Sequence, residues 1–163
     1  MKRTLPVIVC ILLFSVAAQF FLSTRHTAPS LPFRCQTFTT YSLFYDGRPA
    51  AFRLAHDIRF YNDTDGYFYL AGKADYDNRE YLINRKMSLT GGGAPVQETY
   101  RYRIAGTAKS PEDNIPDALF TSWLKEVTPD PGFLQLDLIP LDNHPESFIA
   151  GTPLAFLFIC HTY

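Results

Sequence analysis

Histidine, the side chain best suited to acid–base and metal chemistry near neutral pH, is sparse in this chain. Four histidines occur among 163 residues, and none is spaced from a second histidine or a cysteine as metal ligands usually are. His56 falls on the apolar face of a predicted strand, where we interpret it as a core residue satisfied by a neighbour rather than as a ligand or a pH sensor. Nucleophile-elbow, phosphate-loop and zinc-protease motifs are also missing from the sequence. We therefore expect no catalytic residue, no metal, no cofactor and no enzymatic activity.

Two of the three cysteines stand near opposite ends of the region that follows an apolar N-terminal segment. Cys35 and Cys160 lack the Cys-x-x-Cys spacing of a redox catalyst, so we assign them a structural role. In an oxidising compartment such a pair usually forms a disulfide, which would make the first and last strands neighbours. The alternative is two unpaired buried thiols. Cys10 lies inside the apolar segment, where it acts as a small apolar residue.

Most of the elements that carry these histidines and cysteines are predicted to be β-strands. Ala50–Tyr61 alternates cleanly between apolar and polar residues, which is typical of a half-buried antiparallel strand. The predicted strands are Cys35–Tyr45, Ala50–Tyr61, Tyr67–Ala74, Glu80–Thr90, Gln97–Ala105, Phe133–Ile139 and Leu154–Thr162, with a short additional strand around Ser147–Ala150. The side chains expected to face an apolar interior are Phe52, Leu54, His56, Ile58, Phe60, Tyr100, Tyr102 and Trp123.

The strand pattern is interrupted once. Gly106–Asp117 is polar and contains two prolines, so we predict a loop there. Asp117–Val127 then predicts a short helix, with Asp117 near its N-terminus and an apolar stripe that includes Trp123. A helix of this kind would cap the core formed by the strands.

Seven or eight antiparallel strands protect their edges either as a sandwich or as a closed barrel. A bridge between Cys35 and Cys160 would favour the barrel, because closure requires the first and last strands to be adjacent. An eight-stranded barrel holds side chains or one small ligand. Since the predicted interior is aromatic and aliphatic, such a ligand would be apolar or amphipathic.

The N-terminal segment Leu5–Leu22 contains no charged residue, and Lys2, Arg3 and Arg25 flank it. Extended to Thr24 it would span about 30 Å as a helix, the thickness of a bilayer core. An uncleaved signal anchor and a cleaved signal peptide both fit this pattern. The anchor is favoured because Phe20, Phe21 and Leu22 directly follow the candidate cleavage site. We therefore divide the chain into a cytoplasmic tip and transmembrane anchor (1–26), a linker (27–34) and a domain outside the cytoplasm (35–163).

Charge separates the two parts of the chain. The whole sequence has a net charge of −1, whereas residues 27–163 contain 12 basic and 16 acidic side chains and carry −4. A mildly acidic domain argues against direct nucleic-acid binding, which needs a basic surface.

Five basic residues in the middle of the chain could form a basic strip: Arg79, Arg85, Lys86, Arg101 and Arg103. Such a strip would require the two strands that carry them to be neighbours. We instead expect these side chains to lie on solvated faces of the sheet.

Several segments carry a family resemblance. They are the basic start Met1-Lys2-Arg3 with its single anchor, Tyr69–Gly72, Tyr81–Arg85 and the ending Gly151–Cys160. The chain resembles the FidL-like family of small enterobacterial inner-membrane proteins, and in general organisation it is similar to ToxS-type accessory proteins.

The resemblance implies a single-pass protein of the bacterial inner membrane, inserted through residues 5–24, with a cytoplasmic N-terminus and a periplasmic domain. It implies a lipocalin-like barrel that binds and stabilises or modulates a ToxR-type membrane-bound transcription regulator. Some relatives complete the barrel with strands of the partner and take bile-salt-like ligands inside it. The alternative function is a stand-alone periplasmic barrel that binds or senses an amphipathic small molecule, such as a bile salt or a fatty acid.

Overall fold

The alternating patterns become eight strands and one helix in the computed structural model, which describes residues 29–163 except 97, 129, 131, 142–143 and 153–154. The strands are β1 (Phe33–Tyr45), β2 (Arg48–Phe60), β3 (Asp65–Tyr76), β4 (Arg79–Thr90), β5 (Thr99–Lys109), β6 (Phe133–Leu141), β7 (His144–Thr152) and β8 (Ala155–Thr162). The helix α1 (Asp117–Val127) lies between β5 and β6 and has the predicted bounds.

All eight strands form one closed antiparallel barrel in which each strand pairs with the next along the chain. Two residue pairs, Cys35 with Thr162 and Gln36 with His161, join β1 to β8 and complete the ring. A disulfide between Cys35 and Cys160 links the same two strands, with the Cα atoms 5.4 Å apart. The expectations of a mainly β fold and of paired cysteines are therefore confirmed, and the number of strands is eight.

Tight turns connect the first four strands. Asp46 and Gly47 both have positive φ between β1 and β2, and so do Asp77 and Asn78 between β3 and β4. Two consecutive residues with positive φ match the right-handed twist of the flanking strands, which is why Asp, Asn and Gly occupy them.

Helix α1 packs its apolar stripe into the barrel. Leu119, Phe120, Trp123 and Val127 are all buried. The backbone N–H and the hydroxyl of Thr128 both donate to the carbonyl of Leu124, which ends the helix. The prediction that the helix caps the core is consistent with this burial.

The predicted loop over Gly106–Asp117 begins too early. Residues 106–109 continue β5, and Thr107–Lys109 pair with Arg85–Met87 of β4. Every residue from 105 to 109 is exposed. The sequence of residues 106–109 gives no strand signal, because the backbone of this segment pairs with β4 while all of its residues remain exposed.

The predicted anchor, residues 5–24, lies outside the described residues. Within the described part of the chain, no helix has both the length and the apolar character that crossing a bilayer demands.

Candidate functional site

The side chains predicted to face an apolar interior all lie inside the barrel. Each of the eight has at most 2% of its surface exposed. Their rings and branched chains fill a barrel of a size that is just wide enough for side chains. The eight residues are Phe52, Leu54, His56, Ile58, Phe60, Tyr100, Tyr102 and Trp123.

His56 is enclosed by aromatic rings. Its imidazole lies 4.9 Å from the ring of Phe158 and 5.4 Å from that of Phe68, measured between ring centres. Its Nε2 forms a 3.2 Å hydrogen bond with the hydroxyl of Tyr41, whereas its Nδ1 has no partner among the described residues. Burial disfavours the imidazolium and lowers the pKa of His56 to about 3. The ring is therefore neutral near pH 7 and cannot serve there as a general acid.

Trp123 brings the helix into contact with two strands. Its ring centre lies 5.6 Å from that of Tyr41 on β1 and 6.0 Å from that of Phe52 on β2. The indole Nε1 is buried and has no hydrogen-bond partner among the residues described. Each unpartnered buried polar atom costs about 1–3 kcal/mol. The rings of Tyr41, Phe52, His56 and Phe120 surround the indole, which favours a structural role for this cluster.

Tyr100 and Tyr102 occupy the other end of the interior and stack on Phe60, with ring centres 5.2 and 4.5 Å away. Their hydroxyls donate to the carbonyls of Pro29 (2.6 Å) and Asn62 (2.9 Å). Burial raises the pKa of both tyrosines to about 12. The two phenols are therefore neutral donors that hold the linker and the β2–β3 turn against this end of the barrel.

Arg85 was predicted to lie on a solvated face, and this was wrong, because only 5% of it is exposed. Its guanidinium donates to both carboxylate oxygens of Asp113 and, at 2.8 Å, to Asp117. It also lies 4.1 Å from the ring centre of Phe120. Sequence spacing could not reveal this contact, since 28 residues separate Arg85 from Asp113.

The edge of β1 from Thr37 to Tyr45, which we call the free edge, faces no partner strand among the described residues. β1 pairs with β2 over its full length but with β8 only at Cys35 and Gln36. The free edge contains no charged residue, no proline and no glycine. Phe38 and Phe44 on its outer face are 65% and 79% exposed. Charges, prolines and bulges are the usual protections of an exposed strand, and here they are missing.

A row of isoleucines crosses the outside of the neighbouring strands. Ile139 on β6 pairs with Ile149 on β7, which pairs in turn with Ile159 on β8. Ile139 and Ile159 are 40% and 43% exposed. This isoleucine row extends the apolar outer surface of the barrel toward the free edge.

A groove of about 540 Å³ opens where β1 begins and where β2 and β8 end. We call it the linker-end groove, because residues of the predicted linker form one of its walls. Its lining combines aromatic rings with two arginines. The lining residues are Pro29, Ser30, Pro32, Phe33, Arg34, Arg59, Phe60, Tyr61, Phe148, Thr162 and Tyr163.

No three histidine, cysteine, aspartate or glutamate side chains in the described ranges come together in a way that could hold a metal ion. We consider three surfaces as candidates for function: the free edge, the isoleucine row and the linker-end groove. Their chemistry is that of binding an extended chain, an apolar surface or an anion.

These features define a small β-barrel domain whose first and last strands are linked by a disulfide, and in which residues 37–45 of β1 pair with β2 but with no strand on the other side among the described residues. Residues 72–160, more than half of the chain, match the family model described as FidL-like putative membrane protein. The chain therefore belongs to the FidL-like family, which confirms the resemblance seen in its sequence. No curated protein and no solved structure matches it.

Proposed function

We propose that this chain is a single-pass accessory protein of the bacterial inner membrane whose periplasmic barrel binds and stabilises or modulates a ToxR-type membrane-bound transcription regulator. Residues 5–24 are the anchor in this proposal. Membership of a family of membrane proteins supports it. The observation that carries it is the free edge of β1.

The free edge favours an extended partner segment. An uncovered strand presents unpaired N–H and C=O groups, and an added strand can bind by satisfying them. Thr, Tyr and Phe make up seven of the nine residues 37–45, and all three are good strand formers. The exposed rings of Phe38 and Phe44 would pack on outward side chains of the added strand. In this proposal, a strand of the regulator pairs with the free edge of β1. It thereby extends the sheet beyond the two residue pairs that join β1 to β8.

Co-purification tests the partnership. The full chain is co-expressed with a ToxR-type regulator and extracted in detergent, and the amount of co-purified regulator is measured. We expect the double variant Phe38→Lys/Phe44→Lys to retain at most about a tenth of the wild-type amount, because charges on an edge oppose strand addition. Val96→Lys is the matched control, since Val96 is 75% exposed and lies away from β1. The proposal would be contradicted if the double variant co-purified as much regulator as the wild type. It would also be contradicted if the amount of regulator in the cell were unchanged after deletion of this gene.

A second candidate function is a barrel that binds or senses an amphipathic small molecule without a partner. What favours it is the linker-end groove, which combines aromatic walls with two cationic side chains. The interior itself is filled by aromatic and aliphatic residues. Calorimetric titration of the full chain with an amphiphile tests this function, and saturable binding is the expected result.

A further inference from the structure

The linker-end groove places two arginines directly opposite each other. Arg34 on β1 pairs in register with Arg59 on β2, and both line the groove. Like charges in directly opposed positions of an antiparallel pair are destabilising unless something neutralises them. Negative charge near these two residues would relieve that repulsion.

Asp57 supplies that charge to Arg34 alone. Its two oxygens accept from Nε and Nη2 of Arg34, at 3.4 and 3.3 Å, and from the hydroxyls of Tyr67 and Tyr163, both at 3.3 Å. The ring of Tyr163 also lies 3.6 Å from the guanidinium carbon of Arg34. Arg34 is thus held in place, and the carboxylate of Asp57 already has four donors.

Arg59 has no carboxylate partner among the described residues. Its Nε is buried and lacks a hydrogen-bond acceptor there. Its guanidinium lies 5.5 Å from the ring centre of Tyr67, and Lys86 lies 4.4 Å from the same ring. A desolvated donor on a charged group is costly when it has no acceptor. An anion in the groove would give Arg59 the acceptor that the protein does not supply.

The other residues that line the groove determine which kind of molecule could carry the anionic group. Tyr61 and Tyr163 line the groove and are 51% and 59% exposed, and the almost fully buried rings of Phe33, Phe60 and Phe148 complete its apolar lining. Apolar walls around a few precisely placed polar groups are typical of sites for small amphipathic molecules. Arginine is well suited to phosphate and carboxylate oxygens, because its planar fork can bind two of them at once.

The position of the groove in the chain places it near a membrane surface if residues 5–24 form the anchor. Only five residue steps separate Thr24 from Pro29, which lines the groove. A fully extended chain covers at most about 3.3–3.6 Å per residue, so this link spans no more than about 18 Å. Lipid headgroups and free amphiphiles would both be within reach.

We propose that the linker-end groove is a binding site for the anionic headgroup of an amphiphile, with Arg59 and Arg34 binding the headgroup and the exposed aromatic walls contacting the first carbons of its tail. The site deepens the second candidate function and does not depend on the regulator partnership. Phosphate or carboxylate is the headgroup chemistry that two arginines recognise.

Calorimetric titration of the full chain in phosphatidylcholine nanodiscs with hexyl phosphate tests this site. Hexyl phosphate should bind saturably, and both inorganic phosphate and hexanol should bind at least about tenfold more weakly, because each lacks half of the recognised structure. Arg59→Gln should weaken hexyl phosphate binding at least about tenfold, which is the lower range for a lost hydrogen bond to a charged group. Arg103→Gln, which removes an exposed arginine outside the groove, should leave the affinity unchanged.

Replacing part of the nanodisc lipid by anionic phosphatidylglycerol distinguishes the two sources of the headgroup. Competition that weakens hexyl phosphate binding supports a membrane lipid as the ligand, and an unchanged affinity supports a free amphiphile. If hexanol binds as well as hexyl phosphate, or if Arg59→Gln binds normally, the anion site is overturned while the second candidate function survives. If neither hexyl phosphate nor hexanol binds, both the anion site and the second candidate function are contradicted. An unchanged melting temperature for Arg59→Gln shows that any lost binding is not caused by unfolding.

Discussion

Arg85 donates two hydrogen bonds to the carboxylate of Asp113, at 2.9 and 3.1 Å, although the two residues belong to different parts of the fold. The Asp113 side chain is completely buried, and it also accepts from the backbone N–H of Asn84. Burial alone would raise the pKa of Asp113, but the hydrogen bonds from Arg85 and from Asn84 hold it below the usual value. This ion pair ties the loop before the helix to β4, at the point where the pairing of β4 with β5 ends.

Removing one partner of that pair is expected to be costly. Asp113→Asn should lower the free energy of unfolding by about 3–5 kcal/mol, because it leaves the buried guanidinium without its main counter-charge. Urea unfolding followed by the fluorescence of Trp123, the single tryptophan, measures the change. Asp130→Asn is the matched control. It breaks an ion pair with Arg101 in which both side chains are more than half exposed, and such pairs contribute at most about 1 kcal/mol. Equal effects of the two substitutions would contradict the assigned role of Asp113.

Gly72 lies at a close approach between β2 and β3. Its φ is +157°, and a Cβ built on it would overlap the carbonyl oxygen of Arg53. Gly72→Ala should therefore destabilise the fold by more than about 1 kcal/mol, since the backbone of one strand must move. Gly106→Ala is the control, because nothing lies within 4 Å of the corresponding Cβ. Urea midpoints compare the two variants, and a wild-type midpoint for Gly72→Ala would show that the strands separate at little cost.

The disulfide reinforces the narrowest junction of the barrel, where only two residue pairs join β1 to β8. Cys35→Ser should lower the free energy of unfolding by about 4–5 kcal/mol, because the bridge closes a loop of 125 residues in the unfolded chain. Non-reducing gels should show a faster band for the wild type than after reduction. Cys10→Ser should keep this difference in mobility, and Cys160→Ser should abolish it. Identical mobility of the wild type with and without reductant would exclude the bridge.

Local periodicity was sufficient to predict the strands and the helix. The interior of β2 was identified from every second residue, because one face of that strand is buried along its whole length. The extension of β5 and the burial of Arg85 were missed, since both depend on β4 and on the loop at residues 110–116. The free edge was missed for the same reason: residues 37–45 have the composition of a paired strand, and only the topology shows that one side lacks a partner.

His56 should make stability depend on pH above the range in which Asp113 and Asp117 contribute to that dependence. The pKa of His56 is lowered from 6.5 to about 3 by burial, so below about pH 6.5 the unfolded chain takes up a proton that the native protein does not. The free energy of unfolding should therefore be largest above pH 6.5 and fall by up to about 1.4 kcal/mol per pH unit toward pH 3. The pKa values of Asp113 and Asp117 are lowered from 3.8, so their contributions begin to be lost only as the pH approaches that value, and the interval between about pH 6.5 and pH 4.5 reports on His56.

Urea unfolding at pH 7, 6, 5 and 4 measures this slope. His56→Phe should reduce this slope by the contribution of one proton, about 1.4 kcal/mol per pH unit. The substitution removes the titrating group but keeps an aromatic ring among Phe68, Phe158 and Trp123. His144→Gln replaces an exposed histidine and should leave the contribution of His56 intact. If His56→Phe retains the full wild-type slope, the loss of stability in acid originates elsewhere in the chain. Since Tyr41 is the titratable side chain in contact with His56, and burial raises its pKa from an already high value, it does not contribute within this window.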